Sequence, residues 1–407
     1  MKSTVTSENN ADQKGPLSGV KVLDLSRVLA GPLCGALLGD LGAEVTKVEM
    51  PGAGDDSRHF APHINGESSY FMMLNRGKRG ITLNLKSDEG RDLLHRLVRD
   101  TDILIENYRP GVTARLGIDY DTLAAVNPRL VYVSISGFGQ TGPLAHRPAY
   151  DHIIQAMGGI MSLTGWPGTG PTRVGESIGD VVAGMYGSYG ALAALRQRDV
   201  TGHGQHVDVA MLDSVLSLLV VSLSQFTADG TEPERIGNRH PVSAPMDSFP
   251  ARDGQVVLAV ANDALFARLC KETGMPELLD DPRFATDAQR ARHHAELRVL
   301  IENWTRGLTV DEAVNRLEAA GVPAGPIWSL KEALDSDHAR QRQLLGTARH
   351  PVAGEVAVMR QPVRFSGAQP AAPAPAPVLG QHTDEVLAAA LGLSPDEIAG
   401  LRARGAI

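Results

Sequence analysis

The chain has 407 residues, 43% hydrophobic and 21% charged, the proportions of a soluble globular protein with room for about two to three domains. Its 39 Lys+Arg against 47 Asp+Glu leave a net charge of −8, which argues against nucleic acid as a bulk partner while allowing local basic clusters. The 2 cysteines, Cys34 and Cys270, are too few and too far apart for a disulfide scaffold or a zinc site. No apolar run approaches the roughly 18 residues of a membrane-spanning helix, so no membrane partner is expected.

Residues 1–15 are polar, without the apolar core of a secretion signal, and read as a flexible tail on a cytoplasmic protein. From Pro16 the pattern alternates. GVKVLDLS reads as a buried strand, AGPLCGALLGDLGA as a helix with Pro32 in its first turn and Gly39 or Gly42 at its end, and EVTKVE as a second strand. GITLNL, ILIEN and RLVYVSIS have the β-branched texture of covered strands. Ser87 is placed to cap a helix whose Leu93, Leu94, Leu97 and Val98 share one face. Such alternation predicts an α/β domain built on a mostly parallel sheet.

After Gly137 two Gly/Pro-rich loops, SGFGQTGP and TGWPGTGPTRVGES, flank a helical stretch, YDHIIQAMGGIMSL. A long helix follows Asp180, and its Ala183, Gly184, Gly187 and Gly190 would let another backbone approach closely. HVDVAML predicts one more strand, leading into a helix through Leu216, Leu219 and Val220. ADGTEPERIGN marks a boundary near residue 230, beyond which the strand QVVLAVAN and charged amphipathic helices predict a smaller α+β unit over 231–340. QPAAPAPAPV reads as an extended strap, and Ser394-Pro395-Asp396-Glu397 as a capping box opening a final helix, so residues 341–407 return to dock on the first domain, 16–230.

The opening βαβ unit suggests a dinucleotide fold, but SRVLAGP stands where G-x-G-x-x-G belongs, which argues against NAD or FAD. There is no P-loop and no G-x-S-x-G. The His293-His294 pair reads as a solvated face, and no metal is expected. Asp180 stands out because it follows Gly179 at the end of a Gly-rich loop and opens a long apolar helix. Its spacing alone favours a helix N-cap, worth roughly 1 kcal/mol. The same position, in the field of a helix start that keeps a carboxylate ionised, also suits a nucleophile for covalent acyl transfer.

The segments PLSGVKVLDLSRVLAGP, LGAEVTKVE, NRGKRGITLNLKS, ILIENYRPG, SISGFGQTGP, YDHIIQAMGG, SIGDVVAGMYG, TGHGQHVDVAML and VLGQHTDEVL resemble, in order, the class III CoA-transferase family, which includes formyl-CoA:oxalate and carnitine CoA-transferases. The resemblance implies an interlocked homodimer. Each subunit would have a Rossmann-like large domain formed by both chain ends and a smaller inserted α+β domain. It implies Asp180 as the catalytic aspartate, and coenzyme A and its acyl thioesters as substrates rather than bound cofactors. Leu29 and Ala30 would lie near the thiol end of CoA. Leu83, Asn84, Leu85, Lys86, Asn107, Tyr108, Arg109 and Arg115 would meet its nucleotide end, where guanidinium groups suit phosphate. Pro148, Ala149, Tyr150 and Asp151 would lie near the same site. Met50 stands where oxalate-type relatives can place an arginine.

Two other functions fit parts of the pattern. An α-methylacyl-CoA racemase of the same superfamily would need a His-Asp pair where this chain has Tyr150-Asp151, with His152 one step late and about 100° around a helix. A CoA-binding protein without catalysis is the other, although the SIGD aspartate is intact. The tetraglycine loop of oxalate-type relatives is absent, and Arg27, Arg173, Arg239 and His240 are candidates for holding the second carboxylate of a dicarboxylate acceptor.

Overall fold

Six short runs form one parallel sheet in the computed structural model, which describes residues 15–368 and 372–407. They are β1 (Lys21–Asp24), β2 (Glu44–Glu49), β3 (Arg79–Thr82), β4 (Ile103–Glu106), β5 (Val131–Ser136) and β6 (His206–Ala210). Their order is β3-β2-β1-β4-β5-β6, every neighbour parallel. This is the doubly wound arrangement, whose winding reverses between β1 and β4 and leaves a crevice beyond their carboxyl ends. The central strands β4 and β5 are buried along their whole length because both faces of the sheet are covered there.

One face carries α1 (Ala30–Asp40) and α4 (Ile178–Thr201) over Val22, Ile105, Val133 and Ile135. The small residues of α4 set the distance to its neighbours. A Cβ on Gly184 would stand 2.6 Å from the Ala30 carbonyl oxygen, and one on Gly187 would stand 2.8 Å from Ile135. The two helices therefore cross in backbone contact, which brings the start of α4 beside the start of α1.

The other face carries α2 (Asp88–Val98), capped by the Ser87 hydroxyl, with Leu93, Leu94, Leu97 and Val98 buried against Leu23 and Leu104. Each such side chain contributes roughly 1.5–3 kcal/mol by leaving water. The C-terminal helices α6 (Thr383–Leu391) and α7 (Pro395–Ala403) complete this layer through Leu387 and Ile398. The Ser394 capping box forms as expected. Residues 1–14 and 369–371 lie outside the described residues, and with them most of the expected tail and the start of the strap; 372–378 run without regular structure, with Ala376 buried.

Three elements depart from the sequence reading. GITLNL is strand only to Thr82, because the Asn84 N–H turns to the Ala406 carbonyl at 2.8 Å. YDHIIQAMGGIMSL forms α3 (Asp151–Met157) and a separate short turn, since Gly159 adopts φ +81°. The helix after β6 is α5 (Met211–Leu216), which stops where the Ser217 hydroxyl bonds the Ser214 carbonyl at 2.7 Å; a new helix starts at Val220.

The described residues fall into two compact units. One comprises residues up to Ile160, Arg173–Ser224 and His338–Ile407; the other comprises Met161–Thr172 and Gln225–Asp337. The second unit holds a three-stranded antiparallel sheet of Met246–Pro250, Gln255–Ala259 and Ala324–Pro326, with Phe249, Val256, Leu258 and Phe266 in its core.

Candidate active site

Asp180 is the third residue of α4, and Ser177, not Asp180, is the N-cap. The correction has a local cause. The helix begins three residues earlier than a cap at Asp180 would place it, and the Asp151 carboxylate accepts the N–H of its second residue, Gly179, at 2.8 Å. Asp151 is itself buried and takes a second hydrogen bond, 2.7 Å, from the Gln155 amide one turn on. Gln155 also donates to the Glu176 carbonyl at 3.0 Å and accepts the Val174 N–H at 2.9 Å, which anchors the loop leading into α4. The sequence reading missed Gln155, although its i,i+4 spacing from Asp151 was the available signal.

Burial, with the Asp151 charge adding to it, pushes the Asp180 carboxyl up to about 7. Desolvation thus opposes the field of the helix start that was expected to keep the carboxylate ionised.

Asp180 lines a cavity of about 180 Å³ at the carboxyl ends of β1, β4 and β5. Leu29, Ala30, Asn107, Tyr108, Arg109, Ala149 and Tyr150 line it too. A Cβ on Gly137 would stand 2.5 Å from that of Ala149, so the 147–150 segment lies directly over the end of β5. A larger cavity of about 640 Å³ is lined by Leu83, Leu85, Lys86, Tyr108, Arg109 and Arg115, and also by Met50. Arg27, Asp56, Tyr108 and Arg109 line both, so the two cavities adjoin across the β1–β4 crevice.

Three residues of the expected set lie outside both cavities. Asn84 ties down the chain end, donating from its side chain to the Gly405 carbonyl at 3.1 Å; Asp151 is occupied with Gly179 and Gln155; Pro148 lines neither space. Among the candidates for a second carboxylate, Arg27 lines the Asp180 cavity but is paired with Asp56 at 3.2 Å. Arg173 is turned onto its own loop, donating to the Val174 carbonyl at 2.8 Å. Arg239 and His240 belong to the second unit. Sequence reasoning overlooked Arg147, which lines the Asp180 cavity, stands 5.8 Å over the Phe138 ring and forms no ion pair among the described residues. His152, which the sequence reading set aside as a racemase base, is exposed on α3.

A buried ionic lattice supports the crevice from below. Lys78 donates to Asp24 at 2.7 Å, to the Pro32 carbonyl at 2.8 Å and to Asn75 at 2.9 Å. Burial alone would push the Asp24 carboxyl up, but Lys78 and Lys47 hold it below the usual carboxylate range. The loops after β1 and β4 are clasped twice: the Arg27 N–H donates to Asn107 at 2.8 Å, and the Asn107 amide returns to the Arg27 carbonyl at 2.7 Å. Buried Glu106, at the end of β4, accepts the Tyr108 N–H at 2.8 Å. Among the described residues no cluster of three or more His, Cys, Asp or Glu could hold a metal ion.

The profile of CoA-transferase family III matches residues 17–383. The chain is 44% identical over 364 residues to an acetyl-CoA:oxalate CoA-transferase of Acetobacter aceti, covering 89% of this chain and 92% of that one. It is 41% identical to a succinyl-CoA–D-citramalate CoA-transferase of Chloroflexus aurantiacus, over 96% and 98% of the two chains. A crystal structure of a CAIB/BAIF family protein from Brucella suis superposes with a TM-score of 0.82 at 39% identity, over 93% of this chain and 100% of that one. The chain therefore belongs to CoA-transferase family III.

Proposed function

We propose that this protein moves CoA from an acyl-CoA thioester to a free dicarboxylic acid, with Asp180 as the covalent carrier. The observation that carries the reading is the placement of Asp180, a carboxylate poised near neutrality, in a cavity that adjoins a larger, cation-lined one at the switch point of the sheet. In this reading Lys86, Arg109 and Arg115 meet the phosphates of CoA, while Tyr108 and the apolar Leu83 and Leu85 flank the rest of the nucleotide. Leu29 and Ala30 lie by the thiol end.

The chemistry balances without ATP. An Asp180 carboxylate oxygen attacks the thioester carbonyl and expels the CoA thiolate, leaving a mixed anhydride. The thiolate attacks the aspartyl carbonyl, releases the donor acid as its carboxylate, and leaves a thioester on Asp180. The acceptor carboxylate attacks that thioester, expelling the thiolate and forming a second anhydride. The thiolate then attacks the acceptor's acyl carbon and frees Asp180. Each step exchanges one activated acyl bond for another, so holding the partners in register supplies much of the rate. Arg147 is the cation with which a second carboxylate on the acceptor would pair, consistent with relatives named for oxalate, citramalate and glutarate.

Assembly as a homodimer is supported by Met185 and Tyr189, 54% and 69% exposed one turn apart on α4. Apolar side chains at that spacing form a stripe suited to burial against a second copy. The testing experiment incubates the protein with a panel of acyl-CoA donors and free acids and reads the new thioesters by mass spectrometry. Hydroxylamine added during turnover converts an aspartyl thioester to a hydroxamate at Asp180. A panel without CoA exchange, or a hydroxamate at another residue, overturns the proposal.

A further inference from the structure

The backbone enters α1 through Val28 at φ +67°. For a β-branched side chain this left-handed conformation is a genuine outlier, and such outliers persist only where the surroundings over-determine them. The neighbourhood of Val28 does so from one side. The Asp55 carboxylate accepts the Val28 N–H, at 3.1 Å to one oxygen and 3.3 Å to the other. It is also paired at 3.0 Å with the Lys47 ammonium, and both side chains are shut off from solvent. Lys47 extends the clamp by donating to the Ser26 carbonyl at 2.7 Å, two residues before the strained position. The N–H and hydroxyl of Ser57 hold the same Asp55 oxygen, at 2.9 and 2.8 Å. Burial would push the Asp55 carboxyl up, but Lys47 and the Ser57 hydrogen bonds outweigh it and hold the group at about 2, so it stays an anion.

The two residues that follow the strained turn, Leu29 and Ala30, line the cavity that holds Asp180. We propose that Asp55 is a positioning residue: with Lys47 it clamps the left-handed Val28 turn, and that turn presents Leu29 and Ala30 to the reacting end of the thioester. The inference rests on the proposed function, because it assigns a task to the loop only if the cavity carries acyl transfer.

The test is a double-mutant cycle between Asp55→Ala and Val28→Gly, read as kcat/KM for CoA transfer, CoA affinity and melting temperature. Glycine holds a positive φ without a clamp. Asp55→Ala should lower kcat/KM by on the order of a hundredfold in the wild-type backbone, the scale set by small misplacements of reacting groups. In a Val28→Gly background the same substitution should cost at least about tenfold less; CoA affinity is read alongside because Asp55 and Lys47 also line the larger cavity. Since Asp55→Ala strands the buried Lys47 ammonium, the cycle is repeated with the double variant Asp55→Ala/Lys47→Met in place of Asp55→Ala, which removes both charges of the pair together. Equal losses in both backbones overturn the positioning role, as does a cycle that couples in melting temperature but not in turnover. A wild-type protein that moves no CoA between any donor and acid overturns the proposed function and this inference together. Transfer by the wild type without the rescue overturns this inference alone.

Discussion

Asp151 reaches from the first turn of α3 to the N–H of Gly179, 2.8 Å away, and so one buried carboxylate fixes the residue directly before Asp180, which is half-buried. The same proximity contributes to the raised Asp180 pKa, after burial. A nucleophilic carboxylate must be ionised to attack, so kcat/KM should climb between about pH 6 and 8 with a midpoint near the value of about 7. Asp151→Asn keeps an oxygen for the Gly179 N–H but removes the charge, and should move that midpoint toward acid. A pH–rate profile of the two proteins checks the direction. Asp180→Ala should lower turnover by roughly a thousandfold or more, with CoA affinity retained in calorimetry.

Among the described residues Arg147 lacks the carboxylate partner that Arg27 has in Asp56. Arg147→Ala should raise KM for a dicarboxylate acceptor by on the order of tenfold or more, as expected for loss of a charge-assisted hydrogen bond. A monocarboxylate of similar length should be affected far less. Steady-state kinetics with matched acid pairs measure the ratio, and an unchanged ratio removes Arg147 from the acceptor site.

Glu106 carries a separate pH signature. Burial, with Asp208 adding to it, pushes its carboxyl up to about 7 against the hydrogen bonds from Ser134 and Tyr108. A carboxyl raised in the folded state favours folding at acid pH, and that contribution is lost as pH climbs through about 7. Glu106→Gln should therefore be more stable than the wild type at pH 8, by up to roughly 3 kcal/mol, with the gap closing toward pH 5. Melting curves across that range decide the sign.

The Asp24–Lys78 pair lies beneath the crevice with both side chains buried. Lys78→Met leaves the Asp24 carboxylate without its ammonium and should cost on the order of 3 kcal/mol in chemical denaturation. Adding Asp24→Asn removes the stranded charge and should recover part of that loss. A double variant as unstable as the sum of the singles would show that the pair does not act as a unit.

The chain's own order of apolar runs and turn residues determined the alternation of strands and helices and the Ser87 and Ser394 caps. Those features depend on local periodicity and on side chains within three residues of the backbone groups they satisfy. It also determined the closeness of α4 to its neighbours, because Gly184 and Gly187 carry no Cβ wherever they lie. The family motifs pointed to Asp180, and seven of the residues read from them meet it around one cavity. Tertiary structure alone decided the rest. Asp180 loses its capping role because α4 starts before it, at Ile178, where Asp151, 28 positions from Gly179 in the chain, takes the Gly179 N–H. Its raised pKa is a property of burial, which no local pattern encodes. The strain at Val28 and the clamp by Asp55 and Lys47 depend on three segments that meet only when the sheet is assembled. Short-range propensity is written in the neighbours of each residue, whereas charge, desolvation and long-range hydrogen bonds depend on which segments the fold brings together.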